Sequence, residues 1–280
     1  MKQATIVIPF YNSEKTLAAT IQSVLNQNYT EWKLILINDG STDKSLEIAE
    51  KYISDKVVLV DDSQNKGLIS RLNQGINMTE TPFFVRMDSD DIMTPNRLEK
   101  QIEYLKSNPE TDLVGSSAYI IDENNEIISI RMSSNRQKTV EDVLKEGLFI
   151  HPTVIGRTEW FKKNLYHDTF NRAEDLELWC RNIHSINYYN FEEPLLFYRD
   201  PMTLNIKKYK ESSSTVRGII RKYSVGLKKS KLLIRESAKI CLYSGLSLLK
   251  VTSIINIRRN PKIDKEKKDI AEKILKNALK

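Results

Sequence analysis

The stretch that decides the fold is residues 4–12, which read ATIVIPFYN. A run of β-branched and apolar residues that stops at a proline predicts a buried strand over residues 4–9. Ser13 would then cap a helix. The apolar positions that follow it have helical spacing: Leu17, Ile21, Val24 and Leu25. The chain therefore opens with a strand followed by an amphipathic helix.

The same alternation repeats outward from this stretch. Further strands are predicted at residues 33–38, 56–60 and 83–87, the last opened by Pro82, and helices at 43–52, capped by Asp43, and 67–78. Units of this size indicate right-handed βαβ crossovers. We therefore predict an α/β, Rossmann-like fold with a mainly parallel central sheet. Ligands are expected at the carboxyl ends of its strands.

The second half of the chain is less regular. Its expected elements are a helix from Pro95 to about residue 107, a hairpin of residues 112–121 and 126–131, a helix at 140–146, a strand at 153–156, a helix at 173–184, and extended segments at 188–191 and 195–198. The turn of the hairpin would be Glu123-Asn124-Asn125.

The composition fits a globular chain whose two parts differ in charge. With 280 residues, 40% hydrophobic and 29% charged, the chain is neither disordered nor fibrous. Residues 1–202 hold 22 basic and 31 acidic residues, whereas residues 203–280 hold 21 and 6. Only the basic part suits an anionic partner such as a membrane surface. We predict a catalytic domain at residues 1–205 and a basic helical tail at residues 206–280.

The tail has the pattern of a membrane-surface helix. Its apolar residues recur at helical spacing between lysines and arginines: Val216, Ile219, Ile220, Tyr223 and Leu227. Residues 238–257 are mostly apolar, but Lys239 and Lys250 make them a poor membrane-spanning segment. The alternative is that the tail packs on the catalytic domain or on a second subunit of a homo-oligomer. Nucleic acid is not expected as a partner, because the tail lacks regularly interleaved aromatic and basic residues.

Two further features indicate the compartment. Cys180 and Cys241 are the only cysteines, which indicates a reducing environment and neither a disulfide scaffold nor a zinc knuckle. The apolar run at the N-terminus is too short for a signal peptide. We therefore expect a cytoplasmic protein, peripheral on the inner face of the cell membrane.

The strongest chemical signal is the cluster RMDSDD at residues 86–91, directly after a predicted buried strand. Neighbouring carboxylates repel one another unless a cation neutralises them. Hard oxygen ligands beside a phosphate-bearing substrate suit Mg²⁺ or Mn²⁺. The alternative is an acidic helix N-terminus that complements the helix dipole.

Other polar clusters also follow predicted strands or open helices. Residues 38–43 (NDGSTD) could contact a base or ribose, and residues 61–67 with Arg71 could flank a nucleotide. Asp175, next to Glu174 at a helix start, could accept a proton from an attacking hydroxyl. For each cluster the alternative is a capped loop or a helix dipole effect without a ligand. His151 could equally be a loop residue with no ligand.

Together these clusters resemble those of the family 2 glycosyltransferases, over roughly residues 3–200. The matching segments are Val7-Ile8-Pro9-Phe10-Tyr11-Asn12, Asn38 to Asp43, Asn65 with Gly67 and Asn73, Asp88 and Asp90 of an Asp-x-Asp signature, His151-Pro152-Thr153, and Glu174-Asp175 with Trp179. The resemblance implies the GT-A fold, a nucleotide-sugar donor and inverting chemistry.

The resemblance also implies roles for individual residues. The nucleotide site would comprise Pro9, Tyr11, Asn12, Asp39, Asn65, Gly67, Arg71, Asp88 and Arg199. Asp39 would contact the base, usually uracil, and Asp90 with Asp88 would hold Mn²⁺ or Mg²⁺. Asp175, with Glu174, would be catalytic. His151 and Trp179 would lie at the acceptor or donor pocket.

One departure from the family pattern concerns the diphosphate. Many relatives carry a histidine two residues after the late Tyr-Arg pair, whereas Tyr198-Arg199 is followed here by Asp200-Pro201. Arg199 or Lys207-Lys208 could contact the same phosphates.

The leading hypothesis is transfer of a sugar from a nucleotide-diphosphate donor, with UDP expected, to a hydroxyl of a glycan or lipid-linked acceptor in cell-surface polysaccharide synthesis. The alternative is an inert nucleotide-sugar-binding scaffold at the membrane, against which the presence of both Asp90 and Asp175 argues. A dinucleotide oxidoreductase is disfavoured, because no Gly-x-Gly-x-x-Gly follows the first strand.

Overall fold

A computed structural model describes residues 2–200, 205–249 and 263–280. The strands are β1 (Ala4–Phe10), β2 (Trp32–Asn38), β3 (Val57–Val60), β4 (Phe83–Arg86), β5 (Ile92–Met93), β6 (Leu113–Ile121), β7 (Ile127–Arg131), β8 (Ile155–Arg157) and β9 (Tyr188–Arg199). The helices are α1 (Leu17–Leu25), α2 (Ser45–Glu50), α3 (Leu68–Met78), α4 (Arg97–Ser107), α5 (Val140–Glu146), α6 (Thr158–Lys163), α7 (Glu174–Asn182), α8 (Ile206–Tyr223), α9 (Gly226–Leu248) and α10 (Lys265–Ala278). Short 3₁₀ turns lie at His151–Thr153 and Asp168–Phe170.

The strands form one mixed sheet in the order β3-β2-β1-β4-β8-β6-β9-β5, with β7 beside β6. The α/β class and the helical C-terminal region are confirmed, but the sheet is mixed rather than mainly parallel. Strands β1 to β4 pair in parallel, whereas β8 is antiparallel to both of its neighbours. Antiparallel strands need no helical crossover. Accordingly, a hairpin joins β6 to β7, and β8 follows a 3₁₀ turn.

Strand β1 contributes to the core on both faces of the sheet. All seven of its residues are buried, and side chains alternate between the faces of a strand. Ile6 and Ile8 pack in the cluster that includes Leu17 and Ile21 of α1. Val7 packs in the opposite cluster, which includes helices α3 and α7. The run that opens the sequence is therefore the buried centre of the parallel half.

Several predicted boundaries require correction. Helix α1 begins at Leu17, and the Ser13 hydroxyl bonds to that of Ser89 (2.8 Å) instead of capping the helix. Asp43 lies two residues before α2, and its carboxylate accepts from the Ser45 N–H (2.9 Å). The two extended segments predicted near residue 190 form one strand, β9, because β-bulges absorb the irregularity. Strand β5 and helices α6 and α10 were not predicted.

The basic tail forms more than the single helix predicted. Its apolar pattern is divided between α8 and α9, which are separate helices, and residues 250–257 of the expected apolar stretch lie outside the described ranges. Ile219 of α8 is buried against the sheet domain, as is Ala271 of α10. Two of the tail helices thus pack on the body. Within the described ranges, no helix combines the length and apolarity needed to cross a bilayer.

Candidate active site

Two neighbouring cavities share the Asp88 side chain. The first, about 900 Å³, lies at the carboxyl ends of β1 and β2 and is called here the nucleotide cavity. The second, about 510 Å³, contains Glu174, Asp175 and His151 and is called the catalytic cavity. Asp88 and Leu68 line both. Ligands in the two cavities would therefore meet at these two side chains.

Most residues of the predicted nucleotide site line the nucleotide cavity. They are Pro9, Tyr11, Asn12, Asp39, Asn65, Asp88 and Arg199, and the predicted metal ligand Asp90 lines the same cavity. The parallel pairing of β1 with β2 and β4 explains why these distant segments meet, since their carboxyl ends share one sheet edge. Gly67 and Arg71 do not line this cavity.

Asp39 is held in position by the loop before α3. Its Oδ1 accepts from the backbone N–H of Lys66 (2.7 Å) and from Nε of Arg71 (2.9 Å), and both of its oxygens approach the Gly67 N–H. Arg71 is fully buried and also donates to Asp62 (2.6 Å). Arg71 therefore lies behind Asp39 and fixes the orientation of its carboxylate toward the cavity.

The loops that line the nucleotide cavity are in close backbone contact. Asn12 has a φ of 49° and accepts from the Thr42 N–H (2.8 Å), which ties the end of β1 to the loop after β2. Gly40 has a φ of 73°, and a Cβ atom there would lie 2.8 Å from the Asn65 backbone nitrogen. Three loops thus meet around one glycine.

Gly40→Ala is expected to lower the free energy of unfolding by about 1–3 kcal/mol, because it combines a left-handed backbone with a steric clash. Urea denaturation measures the change. Gly226→Ala is the matched control, since Gly226 has a φ of 59° but a Cβ there meets nothing within 4 Å. An unchanged urea midpoint for Gly40→Ala would contradict the close packing of these loops.

Three carboxylates crowd the loop after β4. Ligand oxygens of Asp88, Asp90 and Asp91 lie within 4.8 Å of one another. Burial and the charge of Asp88 raise the pKa of Asp90 to about 6, and burial with the charges of Asp90 and Asp88 raises the pKa of Asp91 well above its usual value. Buried Arg86 forms a two-point ion pair with Asp88, with both N···O distances 2.7 Å. Arg199 and buried Arg97 lie close enough to interact with Asp90 and Asp91, so arginines balance part of this negative charge.

The donor set suits a hard divalent cation. All three side chains offer carboxylate oxygen, which Mg²⁺ and Mn²⁺ prefer. The buried Oδ2 of Asp91 has no hydrogen-bond partner among the described residues. A buried carboxylate oxygen without a partner is costly, and a cation would remove that cost.

Arg199 ties the loop that carries Asp88, Asp90 and Asp91, called the carboxylate loop, to the β6–β7 turn. Its backbone N–H donates to Asp91 Oδ1 (2.9 Å) and its Nε to the carbonyl of Asp90 (2.8 Å). On the other side it donates to Asn125 Oδ1 (2.6 Å) and to the carbonyl of Asp122. These contacts occupy much of the guanidinium. Lys208, in the first turn of α8, also lines the nucleotide cavity and supplies a second cation there.

The first turn of α7 brings two acids to the catalytic cavity. Burial and the neighbouring charge of Asp175 raise the pKa of Glu174 to about 7. Burial also raises the pKa of Asp175, although the backbone N–H of Leu176 and the charge of Arg86 act against this. A carboxylate with a raised pKa is a stronger proton acceptor than one in water.

His151 and Trp179 occupy different positions relative to this cavity. His151 lines it, and its Nε2 lies 2.8 Å from the Tyr166 hydroxyl; burial holds its pKa well below the usual value, so its ring is neutral. Trp179 lines neither cavity. Its ring packs in the core against Phe149, with 4.9 Å between ring centroids. Trp179 therefore supports the cavity wall from behind.

The family model "Glycosyl transferase family 2" matches residues 5–165. This chain belongs to that family. It is 31% identical over 207 residues to the putative glycosyltransferase EpsE of Bacillus subtilis. The aligned region covers 71% of this chain and 73% of EpsE. It is 30% identical over 189 residues to the Escherichia coli UDP-Glc:alpha-D-GlcNAc-diphosphoundecaprenol beta-1,3-glucosyltransferase WfgD. That aligned region covers 65% of this chain and 72% of WfgD.

The fold of this family 2 glycosyltransferase is also similar to a solved structure. The mannosyltransferase PcManGT from Pyrobaculum calidifontis, in complex with GDP-Man and Mn²⁺, superposes with a TM-score of 0.59 at 13% identity. The match covers 99% of this chain and 85% of PcManGT. The predicted GT-A fold is confirmed by this similarity.

Sequence patterns assigned no role to two arginines at the site of this glycosyltransferase, although Arg86 opens the RMDSDD cluster. Arg86 pairs with Asp88, and Arg131 lines the catalytic cavity at the end of β7. A signal was available for Arg86, since a basic residue in a predicted buried strand needs an acidic partner nearby. For Arg131 no comparable signal exists, because its position depends on the hairpin folding beside the cavity.

Proposed function

We propose that this chain is an inverting, metal-dependent glycosyltransferase that moves a sugar from a UDP-sugar to a hydroxyl of a glycan or lipid-linked acceptor in cell-surface polysaccharide synthesis. The observation that carries the proposal is the pair of cavities that share Asp88, one lined by the predicted nucleotide residues and the other by Asp175. A donor spanning both would place its diphosphate at the carboxylate loop and its sugar beside Asp175.

The proposed reaction is one in-line displacement. Asp175 takes the proton of the acceptor hydroxyl, while the oxygen of that hydroxyl forms a bond to the anomeric carbon of the sugar. The bond from that carbon to the diphosphate oxygen breaks, and the nucleoside diphosphate leaves with the electron pair. The sugar carbon is attacked once, from the face opposite the leaving group, which inverts its configuration.

Other residues bind and position the donor. Asp88 and Asp90 would hold Mn²⁺ or Mg²⁺, which when bound supplies positive charge for the diphosphate. Asp39, fixed by Arg71, faces the nucleotide cavity as an acceptor for donors of the base. Lys208 adds a cation for the phosphates, and Arg199 holds the carboxylate loop in place. We further propose that residues 1–205 act as the catalytic unit.

Named relatives support the donor and acceptor classes. WfgD is named for a UDP-sugar donor and a lipid diphosphate acceptor. PcManGT was solved with GDP-Man and Mn²⁺. Both proteins are named with a nucleotide-diphosphate sugar. The UDP and the lipid-linked acceptor proposed for this chain follow WfgD, which is closer to it in sequence than PcManGT is.

The raised pKa of Asp175 makes kcat sensitive to pH. A proton acceptor must be deprotonated, so kcat should fall as the pH drops through the raised pKa and level off above it. An ordinary aspartate would lose activity only near pH 4. Release of UDP is measured between pH 4 and 8 with an active donor and acceptor pair. A plateau that extends to pH 4.5 would contradict a buried carboxylate base.

Calorimetric titration of UDP into the protein, with Mn²⁺ and then with EDTA, tests the donor site. We expect micromolar binding that requires the metal. GDP and dTDP serve as controls for the base. Silence of all three nucleotides would reject the proposal. Metal-dependent binding without transfer to any acceptor would instead favour the scaffold alternative.

We also propose a peripheral location on the cytoplasmic face of the cell membrane, through α9. Leu227 and Ile234 are 81% and 69% exposed and seven residues apart, so they share one face of the helix. The opposite face packs on α8, where Glu236 accepts from the Ser213 hydroxyl (2.6 Å). Lysines and arginines flank the exposed apolar face: Lys228, Lys231 and Arg235. This arrangement suits an anionic lipid surface.

The double variant Leu227→Asp, Ile234→Asp should bind vesicles containing phosphatidylglycerol about tenfold more weakly or worse, since it removes apolar contact and adds repulsion. Flotation of vesicles with bound protein measures the change. Ile53→Asp, at an apolar residue 56% exposed on another surface, is the matched control. Equal binding by the double variant and the control would exclude α9 as the anchor. Deleting the tail is a poorer test, because it removes core residues such as Ile219.

A further inference from the structure

An apolar groove adjoins the catalytic cavity. It has a volume of about 300 Å³ and lies between β7, β9 and α10. Its lining consists mainly of Tyr119, Ile130, Met132, Pro194 and Ile270, and it also includes the charged residues Glu192 and Lys267. Met132 lines both the groove and the catalytic cavity, so the two adjoin at that side chain.

The surface at the end of β7 changes from charged at the catalytic cavity to apolar at the groove. Arg131 lines the catalytic cavity, where it pairs with Asp200 (2.7 Å), while its neighbour Ile130 lines the groove. This separation follows from the alternation of side chains along a strand. Met132 comes next and lies at the junction. A ligand leaving the cavity therefore passes a cation and then enters apolar surroundings.

We propose that the groove receives the hydrocarbon chain of an amphiphilic acceptor, whose anionic linker lies near Arg131 and whose sugar lies near Asp175. This inference rests on the proposed transfer reaction and adds the residues that select the acceptor class. Met132 and Ile270 are 61% and 48% exposed, and an unbranched thioether adapts readily to a flexible chain. A chain lying there would cover both side chains.

The size of the groove favours a hydrocarbon chain over a second protein. A stable protein interface needs about 800 Å² of surface on each partner, far more than a cleft of this size presents. A volume of about 300 Å³ is at the lower end of the range for small-molecule sites. An extended alkyl or isoprenyl chain is narrow enough to follow such a cleft.

Methyl NMR of the full chain tests the proposal. The protein has six methionines, so labelling their ε-methyl groups with ¹³C gives a simple spectrum, and Met132→Leu identifies the Met132 signal. The sample contains UDP and Mg²⁺, which is diamagnetic, and is titrated with decyl phosphate below its micelle concentration. We expect the Met132 signal to shift with decyl phosphate and not with inorganic phosphate. From hexyl to decyl phosphate, affinity should rise by up to about fourfold per methylene.

A matched pair of variants separates the groove from nonspecific binding. Ile270→Asp should weaken decyl phosphate binding about tenfold or more, whereas Ile53→Asp should leave it unchanged. No Met132 shift in a sample that binds UDP would overturn the groove assignment and leave the donor site intact. Equal decyl phosphate affinity in Ile270→Asp and the wild type would also overturn the groove assignment. A Met132 shift on raising the protein concentration alone would overturn it as well, and would assign the groove to a second copy of this chain. A normal Met132 shift without UDP binding would support the groove and reject the transfer reaction.

Discussion

Asp175→Asn is expected to lower kcat by about 10²–10⁴-fold, because the amide cannot accept the proton of the attacking hydroxyl. The change keeps the size of the side chain, and Asp175 lines the catalytic cavity and not the nucleotide cavity. The Kd for UDP should therefore change by less than about twofold. Initial rates of UDP release and calorimetry with Mn²⁺ measure the two quantities on the same preparations.

Two further variants sharpen the assignment of the base. Asp168→Asn, an exposed acid on the nearby 3₁₀ turn, should leave kcat unchanged. Glu174→Gln removes the other acid of the cavity and should lower kcat less than Asp175→Asn does. If Asp175→Asn were fully active while Glu174→Gln was inactive, the roles of the two acids would have to be exchanged.

Asp90→Asn should weaken UDP binding in the presence of Mn²⁺ by about 10–100-fold. Loss of one contact to a charged group costs about 1.5–3 kcal/mol, and each 1.4 kcal/mol is about tenfold in Kd. In EDTA the variant and the wild type should bind alike, because the carboxylate would act through the cation. Calorimetry under both conditions gives the metal-dependent difference directly.

Asp55→Asn, at an exposed acid that lines neither cavity, is the control for a general change of charge. Asp91→Asn is a poor control, since the Asp91 carboxylate also accepts from the Arg199 backbone. Equal weakening of Asp90→Asn in Mn²⁺ and in EDTA would contradict a metal role for Asp90, and would place its effect in the shape of the loop.

The parallel half of the fold could be predicted because it depends on short-range patterns. Apolar runs indicate strands β1 to β4, and the rule that ligands lie at the carboxyl ends of strands is enough to bring Asp39 and Asp88 to one edge of the sheet. Motifs identify residue types but not the direction a side chain takes. Trp179 and Arg71 belong to recognised clusters, yet one lies in the core and the other behind Asp39.

The mixed half and the tail depend on long-range packing that no local pattern records. Helical spacing predicts that Ile219 and Leu227 lie in helical structure, but it does not show which of the two side chains another element covers. Ile219 is buried on the body, while Leu227 is 81% exposed. Helix α10 has an equally amphipathic sequence that local spacing could have revealed, whereas its packing on β5 and β7 could not be read from that spacing.

The contacts of Arg199 make the carboxylate loop and the β6–β7 turn one mechanical unit. Asn125, which accepts from Arg199, has a φ of 66°, so the shape of this turn is closely specified. Inserting or deleting a residue at 123–125 would shift the anchor point of Arg199 and, through it, the backbone of Asp90. The length of a surface hairpin that does not line the nucleotide cavity is thereby constrained by the shape of that cavity, and natural variation in the hairpin would alter the cavity from outside it.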